Sequence, residues 1–177
     1  FCNEILATEK GQARCAAVTQ LERLQRWRQE ILPADAFDEL EAVRQLRAGL
    51  EVEGDNPLLL ATLGYVHVWY VHSWFRLKDA LDEAEEFAGR ALALEPDNAL
   101  AHVAIGFSGY YRGNRQWISA VERGCALDPN DPETLHLLGW GYALTGQTSK
   151  ALEVGRRMAV LDPVTPLSKA WSAIAQF

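Results

Sequence analysis

The side chains that usually bind metals or move protons are few in this chain and badly spaced for either task. The four histidines are His67, His72, His102 and His136. His67 and His72 stand five residues apart, which does not place them on one helix face, and neither an H-E-x-x-H motif nor a paired carboxylate accompanies them. They read as core or groove histidines held by hydrogen bonds, not as ligands or general bases. The three cysteines, Cys2, Cys15 and Cys125, form neither a C-x-x-C motif nor a metal-ligand spacing. They read as buried free thiols, and that usage points to a reducing, cytoplasmic compartment. The acidic run "DEAEE" at 82–86 has the ordinary explanation of a solvated helix face, with Arg90 four residues beyond Glu86 and able to pair with it. "GWGYALTG" has the outline of a nucleotide loop, but the third glycine position is occupied by Leu144 and the stretch lies inside a helical pattern. No Ser/His/Asp or Cys/His arrangement has the context of nucleophilic catalysis. The expectation is a non-enzyme with no catalytic residue, no metal and no cofactor.

The elements that carry these residues announce themselves by repetition. "LEPDN" at 94–98, "LDPND" at 127–131 and "LDPVT" at 161–165 place prolines at 96, 129 and 163, spaced by 33 and 34 residues. A second ruler runs in phase with the first: Gly64, Gly106 and Gly139 each follow a large aliphatic residue, Leu63, Ile105 or Leu138. Asp55-Asn56-Pro57, Asp97-Asn98 and Asp131-Pro132 supply helix-start signals, in which a short polar side chain caps free backbone N–H groups and proline suits the first turn. Each proline turn therefore ends one helix and starts the next. Between turns lie two helical patterns, the second exemplified by Ala151, Leu152, Val154, Met158 and Leu161.

The motif Leu135-x-x-Leu138-Gly139-x-x-Tyr142, then Ala151, then Pro163, resembles the tetratricopeptide repeat (TPR). So do His102, Ile105, Gly106 and Pro129 in the preceding unit, and Leu60, Leu63, Gly64, Ala84, Ala91 and Pro96 in the one before. There are departures. The motif's opening tryptophan is absent, Gly109 stands where a tyrosine is expected, and Trp117 stands where a small alanine is expected. Gly64 and Gly106 are 42 residues apart, so about eight extra residues fall near "WYVHSWFRLKDA", lengthening a helix or forming an irregular connection.

The resemblance implies an all-α fold of antiparallel helix-pair repeats stacked as a right-handed superhelix. The expected division is N-terminal helices with a degenerate first repeat over 1–56, a repeat with insertion over 57–98, repeats over 99–131 and 132–165, and the start of a further repeat or a capping helix over 166–177. Within the first part, Leu21, Leu24, Trp27 and Ile31 share a stripe that can pair with "DELEAVRQLRAGLEVEGDNP" or fill the groove.

In such repeats the first helix of each pair lines the concave side, and stacking creates an extended binding surface. The residues expected to face inward are largely aromatic: Tyr65, Trp69, Phe107, Tyr110, Tyr111, His136 and Trp140. Lys and Asn, which the resemblance implies for gripping a peptide carboxylate, are missing there. The expected function is protein–protein interaction with a peptide or helix, by burial of aromatic anchors. A second reading is the regulatory TPR region of a larger bacterial signalling protein, a nucleotide cyclase or transcriptional regulator. The chain begins with Phe, which suggests that something has been removed ahead of it. Trp171, Ile174 and Phe177 on the last helix form an apolar face suited to self-association as a homo-oligomer.

Charge and hydropathy exclude other partners. A net charge of −7 with no Lys/Arg block disfavours nucleic acid and anionic membrane surfaces. The stretch from Leu58 to Phe75 is 18 residues without a charge, enough length for a membrane span. Gly64, His67, His72 and Ser73 interrupt it, and the repeat frame claims most of it, so no membrane insertion is expected.

Overall fold

The computed structural model describes residues 36–69 and 79–161. Among them are seven helices and no strand: α1 (Ala36–Glu53), α2 (Pro57–Val66), α3 (Ala80–Leu94), α4 (Ala99–Tyr111), α5 (Trp117–Leu127), α6 (Pro132–Leu144) and α7 (Thr148–Leu161). α2 pairs with α3, α4 with α5 and α6 with α7, and successive pairs stack through α3 on α4 and α5 on α6. No helix among the described residues is long and apolar enough to cross a membrane. The uncharged stretch from Leu58 leaves regular α-helix after Val66 and continues through a wider, π-helical turn over 67–69. Residues 70–78, where the extra length falls, lie outside the described residues.

The turns work as their chemistry requires. Asn56 Oδ1 accepts from the N–H groups of Leu58 at 3.0 Å and Leu59 at 3.3 Å. Asn98 Oδ1 accepts from Ala101 N–H at 3.0 Å, and Asp131 Oδ2 from Thr134 N–H at 3.0 Å. Each cap satisfies donors that the first helical turn leaves free. α3 and α5 stop at Leu94 and Leu127, directly before the acidic residue of each proline turn. The turn after α1 has no proline and uses Gly54 instead, at φ 74°, a conformation glycine adopts without steric penalty.

Helices of the two kinds bury different amounts of themselves. In α2 the whole run from Leu59 to Val66 is buried, so this helix is covered nearly all round. The outer helices each bury one stripe at i, i+4, i+7: Ala84, Ala88 and Ala91 on α3; Trp117, Val121 and Gly124 on α5; Ala151, Gly155 and Met158 on α7. Small residues bring paired backbones close. A Cβ on Gly64 would lie 3.0 Å from both Ala84 O and Ala88 N, and one on Gly106 would lie 2.6 Å from Val121 Cγ2. The core runs unbroken through the stack, from Leu46 on α1 to Met158 on α7.

The two departures of the middle pair compensate one another. Trp117, large where alanine is expected, is buried against Phe107 and Tyr110, with ring centroids 5.4 and 5.0 Å apart. A Cβ on Gly109 would stand 3.3 Å from Trp117 Cβ, and one on Gly141 would stand 3.1 Å from Trp117 Cη2. Gly109, small where tyrosine is expected, thus provides room for the indole.

Candidate interaction surface

Of the seven residues expected to face inward, two are closed off. Tyr65 and Phe107 are fully buried and serve the core. Trp69, Tyr110, Tyr111 and His136 are half-buried, and Trp140 is 37% exposed. The structure brings most of these rings into one cluster. Trp69 approaches Phe107 at 5.6 Å, His136 at 6.2 Å and Trp140 at 5.4 Å, edge-on in every case. Phe107 stacks on Trp140 at 6.3 Å, while Tyr110 meets Phe107 at 6.4 Å and Tyr111 at 5.2 Å. A single aromatic surface therefore joins the end of α2 to α4 and α6, with Leu144 exposed on the same helix as Trp140. Trp171, Ile174, Phe177 and His72 lie outside the described residues.

The groups with ordinary chemical reactivity have structural tasks. The Cys125 thiol donates to Thr134 O at 3.0 Å, and burial pushes its pKa up to about 11, so it is not a poised nucleophile. Tyr142 donates to Glu122 Oε1 at 2.9 Å; burial and that carboxylate push the phenol up to about 12. The "DEAEE" run is an ion-paired belt. Arg112 pairs with Asp82 and, at 2.7 Å, with Glu85; Arg47 reaches Glu83 at 3.0 Å; Arg90 reaches Glu86 at 3.5 Å. Among the described residues, no three His, Cys, Asp or Glu are grouped to hold a metal ion.

His67 is buried in the π-helical turn, its ring 5.7 Å from Phe87. Its Nδ1 lies 3.0 Å from Glu83 Oε2, yet neither ring nitrogen makes a hydrogen bond of good geometry. Burial holds its pKa below the ordinary 6.5, Glu83 pulling the other way and Arg47 adding to the lowering. With the folded value depressed, the unfolded chain takes up this proton first as pH falls. The contribution to stability is complete above about pH 6.5 and declines as pH drops below it, by at most about 1.4 kcal/mol per pH unit. Urea denaturation between pH 7.5 and pH 5 should show that slope, and His67→Gln should flatten it.

One recurrent contact was not read from the sequence. Arg90 on α3 pairs with Asp55, Arg123 on α5 with Asp97 at 2.6 Å, and Arg157 on α7 with Asn130 at 3.1 Å. Each arginine closes its outer helix onto the turn that starts the inner helix of the same pair. Each acceptor directly precedes the capping residue, so the two adjacent polar residues divide the work: one caps, the other receives the guanidinium. The signal was present, since Arg90, Arg123 and Arg157 each stand six residues before a turn proline. These pairs are exposed, and Arg123→Ala should cost only about 0.2–1 kcal/mol. A double-mutant cycle with Asp97→Ala measures that coupling.

Solved structures provide the comparison. A thermophilic TPR protein from Thermus thermophilus superposes with a TM-score of 0.61, at 17% identity, over 94% of this chain and 92% of its own. This chain has the TPR fold. MamA is similar with a TM-score of 0.50 and 20% identity, over 78% of this chain and 81% of its own. A MamA fragment from Desulfovibrio magneticus RS-1 gives 0.50 at 22% identity, over 88% and 77%. No family model matches the sequence, and no curated protein matches it. The TPR assignment thus rests on helix-pair geometry and on the phased motif, with Gly64 and Gly106 at the close helix contacts. Stacks of this kind offer extended concave surfaces for binding.

Proposed function

We propose that this chain is a non-catalytic protein–protein interaction module that receives a peptide or helix along the inner face built from α2, α4 and α6. The observation that carries this reading is Trp140. It is a large indole, 37% exposed, adjoining a row of half-buried rings. Aromatic side chains offer much contact area with few rotamers to freeze, and they dominate binding energy at interfaces. Tyr110, Tyr111, His136 and Trp69 extend the surface, while the buried Phe107 supports it from beneath.

The test uses a partner recovered from the source cell and then measured with purified components. Trp140→Ala should weaken binding by about tenfold or more, with the far-ultraviolet helical signal unchanged. Equal affinity in the variant and the unmodified chain would remove the inner face as the binding surface.

A further inference from the structure

The Trp69 indole occupies an unusual position. It projects from the π-helical turn at the end of α2, yet its ring contacts reach past the neighbouring pair to α6. It stands perpendicular to two nearly parallel rings, at 78° to Phe107 and 85° to Trp140, which lie at 21° to one another. His136 closes a third side at 86°. Edge-to-face contacts are a favoured arrangement of aromatic rings, and one indole makes three of them here. Phe107 and Trp140 belong to different helices, α4 and α6, and Trp69 reaches across both from the turn that continues α2, the inner helix of the neighbouring pair. Trp69 is itself only half-buried, so its far side remains open.

We propose that Trp69 is an internal ligand of an aromatic seat formed by Phe107, His136 and Trp140, and that the partner is recognised through an aromatic side chain that takes this seat. The inference rests on the interaction-module reading and specifies both the chemistry of the partner's anchor and how access is regulated. An occupant held in the same chain competes with any incoming ring without having to be brought in from solution. An incoming ring therefore displaces it only when further contacts along Tyr110, Tyr111 and Leu144 assist. The apparent affinity of any partner is reduced by the fraction of molecules in which Trp69 is seated.

The experiment uses free indole as the probe, so it is independent of any partner. Thermal unfolding of the unmodified chain, Trp69→Ala and Trp69→Ala/Trp140→Ala is followed with and without millimolar indole. Trp69→Ala should unfold earlier than the unmodified chain, and indole should raise its midpoint by about 2 °C or more. The unmodified chain and the double variant should not respond. If Trp69→Ala lacks helical signal, Trp69→Val replaces it in both arms, with the same expected response. In a chain labelled with 5-fluorotryptophan, the Trp69 fluorine resonance, assigned with Trp69→Phe, should shift on Trp140→Ala. An indole response shared by all three proteins, no response in the Trp69 variant, or a Trp69 resonance indifferent to Trp140→Ala would each overturn the seat. Failure of Trp140→Ala to weaken the natural partner, with the indole response intact, would instead remove the interaction reading together with the partner's use of the seat, and leave only Trp69 as its internal ligand.

Discussion

Phe107→Ala is expected to lower the free energy of unfolding by about 3–5 kcal/mol. Phe107 is fully buried, and its ring touches those of Trp69, Tyr110, Trp117 and Trp140. These neighbours come from the turn that continues α2 and from α4, α5 and α6, so truncation opens a void where three helix pairs meet. Large rings anchored on separate backbones cannot all collapse into it, and the cost should lie towards the upper end for core substitutions. Urea denaturation with an unchanged m-value measures the loss. A decrease below about 1 kcal/mol would mean that the surrounding rings repack and that Phe107 does not organise them.

The second large effect is a reversal of sign between two glycines on outer helices. Gly124 and Gly89 are both interior helical residues, and alanine has the higher helix propensity by about 1 kcal/mol. A Cβ on Gly89 meets nothing within 4 Å. Gly89→Ala should therefore stabilise, by up to about 1 kcal/mol. A Cβ on Gly124 would lie 2.6 Å from both Ala99 O and Val103 Cγ2. The carbonyl is backbone and cannot move alone, so α4 and α5 must separate. Gly124→Ala should destabilise by about 1–3 kcal/mol despite the better propensity. Thermal unfolding of the two variants side by side checks the reversal, and a stabilised Gly124→Ala would show that the helix pair yields easily.

Much of this fold is legible because repetition averages out local ambiguity. A single turn of acidic residue and proline is weak evidence, whereas three in phase with Gly64, Gly106 and Gly139 define a unit. The fate of individual rings was less readable. Tyr65, Phe107 and Trp140 occupy the same register, one residue after the glycine, yet the first two are enclosed and the third is partly open. Register tells which way a side chain leaves its helix; exposure depends on what the neighbouring helices place above it. Trp69 illustrates the point, since its cover over Phe107 depends on a π-helical turn over 67–69, which the extra length near "WYVHSWFRLKDA" signalled only as a lengthened helix or an irregular connection. The arginine pairs were missed for a different reason. Asp55 and Asp97 looked like caps, and an exposed arginine on an outer helix is chemically ordinary until its acceptor, 26 or more residues away, is known.

The difference between the enveloped inner helix α2 and the one-sided outer helices extends to how such a chain can change over generations. An outer helix has wet positions between its packing residues, where charge, length and polarity can drift at little cost. An inner helix of this kind has almost no such positions, and every replacement must suit several neighbours at once. Divergence should therefore come in alternating bands along the chain, fast and slow by turns, so that distant descendants keep the rhythm of the array after most of its lettering has gone.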